Sequence, residues 1–413
     1  MIESRAEDWV REKQLEAKLA ASEEFKREME KRIDYYHDRQ LHYLRNLLDR
    51  NYEDAEALGL VPEFTNIVKM IVDAAALVYK SGAARDLTSA EGEVAPEERE
   101  LWDWLMAGAK YEAVMKTLNR YVKLTRTGLV KVSFRGGEIR LDIITPDQLD
   151  VIYTRPRSDT VAAEELIYHY WDGENYRQFT ANGEILPIEG NPDGVNPYGM
   201  LPFVRFTETL PVSGYFVPGG DDLTVAQDAI NQRIVELGHL IKMQSFSVPV
   251  LVGHEGSEKI VVAPGKPISV PLGRVGEGSP DFKFVSPNPA ISECLEALRE
   301  SIARILHCYH ISSANFNLTG SNRSGFALVM ENLALFEDRQ NAVPFYEDAE
   351  ERMFAVIKRV WNAHQPYLDP AHPFSGVRFS DGTRLSVTVQ DVRLPASVTD
   401  EIAEWKFLLE EGM

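Results

Sequence analysis

His307-Cys308-Tyr309-His310 is the densest group of metal-ligand and nucleophile types in the chain. A zinc site needs such side chains to converge on one point. Adjacent residues on a helix point apart, and no CxxC or HxxxH elsewhere completes a set. Asp221-Asp222 after Gly219-Gly220 could hold a divalent ion, although acidic residues at the positive end of a helix account for the pair more simply. Neither a Walker phosphate loop nor an HExxH is present. Gly273, Gly276 and Gly278 lack dinucleotide-loop spacing and its strand-to-helix context, and they read as turn glycines. Trp102 and Trp104 read as core or interface rather than as a stacking platform. With no Ser, His and Asp set to assemble, the chain is expected not to be an enzyme and to carry no metal or cofactor. An enzyme with an unrecognised site stays as the alternative.

Hydrogen bonding without charge is concentrated elsewhere. From Tyr309 to Phe336 the chain reads YHISSANFNLTGSNRSGFALVMENLALF. Ser312, Ser313, Asn315, Asn317, Thr319, Ser321, Asn322 and Ser324 supply polar groups, and Arg323 is the loop's one formal charge. Ser324 is a good N-cap. Phe326, Ala327, Met330, Leu333 and Ala334 follow as an apolar stripe at helical spacing. Local pattern alone favours an ordinary surface loop over one presented to a ligand.

The elements that must hold this loop fill 413 residues, enough for two to four packing units. A hydrophobic content of 44% and a charged content of 26% are those of a folded soluble protein. The net charge of -20 argues against a conventional nucleic-acid binder with a basic surface. It leaves room for a protein that lets nucleic acid pass without gripping it. Cys294 and Cys308 are the 2 cysteines. On one helix they would stand roughly 21 Å apart, too far for a disulfide, and free thiols suit a reducing compartment. The start, MIESRAEDWVREKQ, is charged throughout and does not read as a signal peptide. No apolar run approaches a membrane span; Ile67 to Tyr79 is broken by Lys69 and Asp73.

Residues 1 to about 50 read as a charged helical segment with acid–base pairs three and four apart. Tyr35, Tyr36, Tyr43, Leu41, Leu44, Leu47 and Leu48 could dock it. Helices are expected from Asn66 to Lys80, Glu97 to Ala107 and Tyr111 to Thr125, with a polar loop from Ser81 to Pro96. Near Thr127 the period becomes alternating. Val130, Val132 and Phe134, a Gly136-Gly137 turn, then Ile139, Leu141 and Ile143 predict a hairpin. Further strands fit Leu149–Tyr153, Glu165–Trp171, Tyr176–Thr180 and Phe203–Phe206, one antiparallel sheet after segregated helices. The fold class is α+β.

From Asp222 a long helix carries Leu223, Ala226, Ile230, Ile234, Leu237 and Ile241 as an apolar seam. Its polar face holds Asp228, Gln232, Glu236, His239 and Lys242. A second helix after Ser292 has Leu295, Leu298, Ile302, Ile305 and Tyr309 at the same spacing. Between them, residues 247–291 hold seven prolines and six glycines. A structureless loop of that length is improbable, and runs at Val248–Val252, Ile260–Val262, Ile268–Val270 and Phe282–Val285 predict short strands. A further helix is expected from Ser324 toward His364, either kinked at Pro344 or split into two helices there. Val377, Phe379, Leu385, Val387 and Val389 read as a closing hairpin around Asp381-Gly382. A last helix is expected from near Ser397 or Thr399.

In this order the parts resemble the portal proteins of tailed bacteriophages, over nearly the whole chain. Tyr35-Tyr36 with His37 and Gln40 is similar to the family's YY-x-G-x-Q element, with Asp38 where Gly is common. Asn66 to Asp73, Ile144-Thr-Pro146 and Asn196-Pro197-Tyr-Gly-Met-Leu-Pro202-Phe203 are similar to the pieces that follow. Asn322-Arg-Ser324-Gly325-Phe-Ala327 is similar to the S-G-x-A start of the family's tunnel helix.

The resemblance implies a virion protein: a ring, usually of twelve subunits, at one capsid vertex, assembled in the host cytoplasm. It implies a wing at residues 1–221 and 324–396, a two-helix stem at 222–246 and 292–310, a small β-rich clip at 247–291 and a tunnel loop at 311–323. Residues 397–413 would be the start of a minimal, absent or truncated crown. Double-stranded DNA passes through such rings without sequence preference. The implied partners are further copies of the chain, the terminase large subunit, the major capsid and scaffolding proteins, and head-completion or adaptor proteins, with no membrane. Asn315, Asn317, Ser321, Asn322 and Arg323 would line the constriction, or Arg323 would pair with a neighbouring subunit's acid. Ser324, Gly325 and Pro344 would set the start and bend of the tunnel helix. Another head–tail connector is the nearest alternative.

Overall fold

The computed structural model describes residues 22–90, 92–153, 166–171, 176–180, 197–211, 214–245, 248–252, 281–285, 291–312 and 332–392. In chain order the first elements are α1 (residues 22–36), α2 (Leu41–Asn51), α3 (Ile67–Ala75), β1 (Ala83–Ser89), α4 (Pro96–Gly108) and α5 (Tyr111–Thr125). Six strands follow: β2 (Thr127–Arg135), β3 (Glu138–Ile144), β4 (Leu149–Tyr153), β5 (Leu166–Trp171), β6 (Tyr176–Thr180) and β7 (Phe203–Thr207). The rest are α6 (Asp221–Ser245), β8 (Val248–Val252), β9 (Asp281–Val285), α7 (Ile291–Cys308), α8 (Leu333–His364) and β10 (Thr383–Val389). Two compact units divide the chain, residues 1–39, 66–224 and 305–413 in the first and residues 40–65 and 225–304 in the second.

The core of the first unit lies between α8, α4, α5 and the strands beside them. Ala342, Tyr346, Ala349, Met353, Phe354, Ile357, Val360 and Trp361 step by three and four along α8 and are all buried. They pack with Leu101, Trp102, Met115, Leu118, Val130, Val132 and Phe206. Trp102 thus sits in the core, with Trp104 packed against it. The β2–β3 hairpin turns on Gly136 and Gly137, at φ 60 and 89, a conformation suited to glycine.

Several expectations give way here. The expected single sheet is two three-stranded sheets, ordered β3-β2-β7 and β4-β5-β6. The stretch expected to be a polar loop contains β1, whose partner is β10 in antiparallel register from Ala83↔Val389 to Ser89↔Thr383. No hairpin closes around Asp381-Gly382; β10 buries Thr383, Leu385, Val387 and Val389 and bonds to β1 instead. α3 stops at Ala75 rather than Lys80, and the chain turns through residues 78–81. The described part of the last long helix begins at Leu333, after Asn332 at φ -109 and ψ 8; its expected start at Ser324 lies outside the described residues. Pro344 lies inside it, exposed, and the helix continues past it to His364. Proline lacks an N–H, so the Gln340 carbonyl receives no helical bond from that position.

The charged segment at the start is also interrupted, between α1 and α2. Asp38 takes φ 61, the left-handed region where a side chain is strained and glycine is favoured. Asn66 braces the turn. Its Nδ2 donates to Tyr35 O at 2.7 Å and Asp38 Oδ1 at 2.8 Å, while its Oδ1 accepts from Lys69 N at 2.9 Å as the N-cap of α3. Asp38→Ala keeps the backbone strain and loses the brace, an expected cost of about 1–2 kcal/mol. Urea unfolding of the variant beside Asp38→Gly, which relieves the strain, reads this difference.

In the second unit Leu44 and Leu48 of α2 pack with Ala55, Leu60 and Val235. The α6 seam is not the expected one. Ile234 and Leu237 are half-buried and Ile241 is 47% exposed, whereas Gln227 and Asn231 are buried. They can be buried because they are bonded. Gln227 Nε2 donates to Thr65 O at 2.8 Å and to Asn231 Oδ1 at 2.7 Å, and Asn231 Nδ2 donates to Gln40 Oε1 at 2.8 Å. β8 and β9 pair antiparallel, Val248↔Val285 to Val252↔Asp281. The runs at 260–262 and 268–270, and the helix expected after 397, lie outside the described residues.

Candidate functional site

The described residues that flank the uncharged loop are tightly specified. α7 ends in a left-handed cap. His310 takes φ 55, its N–H bonds to His307 O at 3.1 Å, and Ile311 N–H reaches back to Leu306 O at 2.9 Å. That pair of bonds is a Schellman motif, here with histidine where glycine is usual. Leu306 and Ile311 are both buried beside it. Tyr309 Oη donates to Asp222 Oδ1 at 3.0 Å; burial, then Asp222, pushes this phenol far up. His310 Nδ1 lies 2.6 Å from Asp338 Oδ2, so the end of α7 is clasped to the first turns of α8. A cleft of about 260 Å³ opens here, lined by Lys123, Arg126, Gly219, Gly220, Asp222, Cys308, Tyr309 and Asp338.

Tyr309 and His310 are engaged with different carboxylates, and Asp221 accepts from Arg32. Among the described residues no group of three or more His, Cys, Asp or Glu could hold a metal ion. Cys294 and Cys308 lie at opposite ends of α7 as free thiols. A larger recess of about 460 Å³ is lined by Glu30, Asp34, Arg39, Tyr121, Thr145 and Asp147 among others. Burial pushes the Asp147 carboxyl up, but the described lining holds no nucleophile–base pair. No helix among the described residues is long and apolar enough to cross a membrane.

Of the residues singled out from sequence, Asn315, Asn317, Ser321, Asn322, Arg323, Ser324 and Gly325 lie outside the described residues. The α6 polar set divides. Gln232 Oε1 accepts from Asn51 Nδ2 at 3.0 Å, and Glu236 Oε1 accepts from Tyr52 Oη at 2.6 Å and Gln232 Nε2 at 2.7 Å. These two therefore tie α6 to α2 and its C-cap residue, and the Glu236 bond raises the Tyr52 phenol. His239 Nδ1 is buried and unbonded, whereas Lys242 is exposed.

Two buried arginines have partners that the sequence does not name. Arg32, 1% exposed, donates to Gly219 O at 2.8 Å and pairs with Asp221 at the start of α6. Arg339 Nε donates to Leu77 O at 3.1 Å from within α8. The signal, an arginine at an otherwise apolar helical position, is present in both cases but does not reveal the partner.

At the far end of α8, His364 stacks on Phe134 with centroids 4.5 Å apart and meets Tyr198 Oη at 2.9 Å. Burial holds its pKa below the ordinary 6.5. The unfolded chain therefore binds a proton first as pH falls below about 6.5, so stability rises with pH through that window and levels above it. His364→Phe is expected to flatten this slope between about pH 5 and 7, read as the urea midpoint against pH.

A family model described as phage portal protein, SPP1 Gp6-like, matches residues 15–379. Among solved structures, the neck of an empty gene transfer agent particle computed with C6 symmetry is similar at 14% identity, covering 87% of this chain and 89% of that one, with a TM-score of 0.50. That likeness is one of fold. The virion of a native gene transfer agent particle gives 15% identity, 87% and 90% coverage and a TM-score of 0.47. An HK97 family phage portal protein from Corynebacterium diphtheriae gives 10%, 81%, 94% and 0.30. No curated protein sequence matches the chain.

Proposed function

The chain belongs to the SPP1 Gp6-like family of phage portal proteins, and from that premise we propose that it forms a ring at one vertex of a capsid, through which double-stranded DNA is packaged and later ejected. The observation that carries this reading is the family match from residue 15 to residue 379. The ring has about twelve subunits, and the terminase large subunit and head-completion proteins dock on it in turn. Its place is the virion. α6 and α7 form the stem, the β8–β9 pair belongs to the clip, and residues 311–323 form the tunnel loop. Pro344 sets the bend of the tunnel helix.

The physical demand on such a channel is weak, exchangeable contact. Each phosphate neutralised by Lys or Arg adds a salt-dependent term to affinity, and a ring multiplies it by the number of subunits. A loop of amides and hydroxyls with Arg323 as its one charge touches phosphates without holding them. Asn315, Asn317, Ser321 and Asn322 supply those groups. Arg323→Glu is expected to leave ring assembly intact and to lower DNA packaged per particle by about tenfold, since twelve carboxylates then face the phosphates. Rings that package normally with this substitution would remove Arg323 from the channel wall.

A further inference from the structure

His310 closes α7 with its backbone in the left-handed region, at φ 55. A side chain is disfavoured there; glycine is the usual residue and asparagine the next. The turn itself needs no imidazole. His310 N–H to His307 O and Ile311 N–H to Leu306 O are main-chain bonds that glycine would also make. The core does not need it either, since Leu306, Ile311 and Leu335 are the residues buried on the two sides. What the imidazole does is meet Asp338, with Nδ1 2.6 Å from Oδ2 and the side chains 46% and 44% exposed. A disfavoured backbone conformation persists where the structure around it uses what it holds.

The two helices that meet here have separate anchors. Tyr309 Oη ties the end of α7 to Asp222 at the start of α6. Arg339 ties α8 to the Leu77 and Val78 carbonyls at 3.1 and 3.5 Å, and Leu335 packs with Ala75 and Leu77. His310 to Asp338 joins the two directly. Asp338 stands six residues after Asn332, about 9 Å along a helix. The bond therefore holds Ile311 and Asn332, where the uncharged loop leaves and returns, close to one place.

We propose that His310 is a positioning residue for the tunnel loop. Its bond to Asp338 pins both ends of the loop at one point, and so sets where Asn315, Asn317, Ser321, Asn322 and Arg323 can meet passing DNA. This rests on the portal reading of that loop. A ring repeats the pin in every subunit, so that all the loops start from one height.

Three variants of the full chain test this. His310→Gly suits the left-handed backbone and removes the imidazole. His310→Asn tolerates the same backbone, and its Nδ2 is bonded to Cγ as Nδ1 is in histidine, so the donor to Asp338 remains. Asp338→Ala removes the acceptor and leaves the cap alone. In thermal unfolding His310→Gly is expected to match or exceed the parent, because relieved strain offsets an exposed bond. Amide exchange at Phe336, whose N–H bonds to Asn332 O at 3.1 Å, reads the pin without DNA. It is expected to be about fivefold faster in His310→Gly and Asp338→Ala, and parental in His310→Asn. Particles built with the first two are expected to form intact rings and to lose packaged DNA about fivefold faster, while His310→Asn retains it. Parental exchange in His310→Gly, or the same loss in His310→Asn, would overturn the positioning role. So would His310→Gly unfolding well below the parent, which would make His310 a residue of stability alone. Faster exchange with parental DNA retention would leave the clasp standing and overturn the tunnel-loop reading on which its role depends.

Discussion

Arg85→Ala is expected to destabilise the first unit by about 3–5 kcal/mol. Arg85 is 5% exposed and Glu350, on the core face of α8, is 0% exposed. Arg85 Nε and Nη2 donate to the two Glu350 oxygens at 2.6 and 3.0 Å, and Tyr111 Oη donates to Oε2 at 3.1 Å. The guanidinium also lies 4.8 Å from the centre of the Tyr111 ring. Removing it leaves a carboxylate in the core with one hydrogen bond from a neutral group, and the cost is the desolvation of that charge rather than the lost attraction. Arg85→Met/Glu350→Leu takes both charges away and is expected to recover most of the loss. Urea unfolding measures all three. A single variant within about 0.5 kcal/mol of the parent would mean that water reaches Glu350.

Trp361→Ala is expected to cost about 3–5 kcal/mol by a different route. Trp361 is 0% exposed on the same face of α8. Its ring is edge-on to Trp104 at 6.2 Å and Phe134 at 6.1 Å, and Nε1 donates to Val377 O at 3.0 Å. Alanine leaves a cavity between α8, α4 and the β2–β3 hairpin, whose size sets the loss. Trp361→Phe keeps most of the buried area and drops the hydrogen bond, so its expected cost is about 1–2 kcal/mol. Thermal unfolding of both separates packing from the bond; equal shifts would mean that the bond dominates.

Elements with local signals were legible in the sequence. α5 falls at Tyr111–Thr125 as its periodicity predicts, and the β2–β3 hairpin turns on the predicted glycine pair. β1 was not legible. AARDLTS alternates in burial but offers only Leu87 as a large apolar residue, and its partner β10 lies almost three hundred residues away. A separation of 265 residues likewise hid the pairing of Arg85 with Glu350. Gln227 and Asn231 read as polar surface because a sequence does not say which amides find partners. Asp38 was legible as a departure from the resemblance, and its left-handed φ of 61 explains why glycine is common there. Of the candidate site, the ends are seen and the loop residues are not among those described. The clasp from His310 to Asp338 and the bond from Tyr309 to Asp222 had no sequence signature beyond the residue types.

Negative-stain electron microscopy of the purified full chain shows whether the chain closes into a ring. Closed rings of about twelve subunits are expected, with a central hole wide enough for a DNA duplex, roughly 20 Å or more. Compact monomers or closed dimers without a channel, over the whole concentration range that keeps the chain soluble, would contradict ring formation.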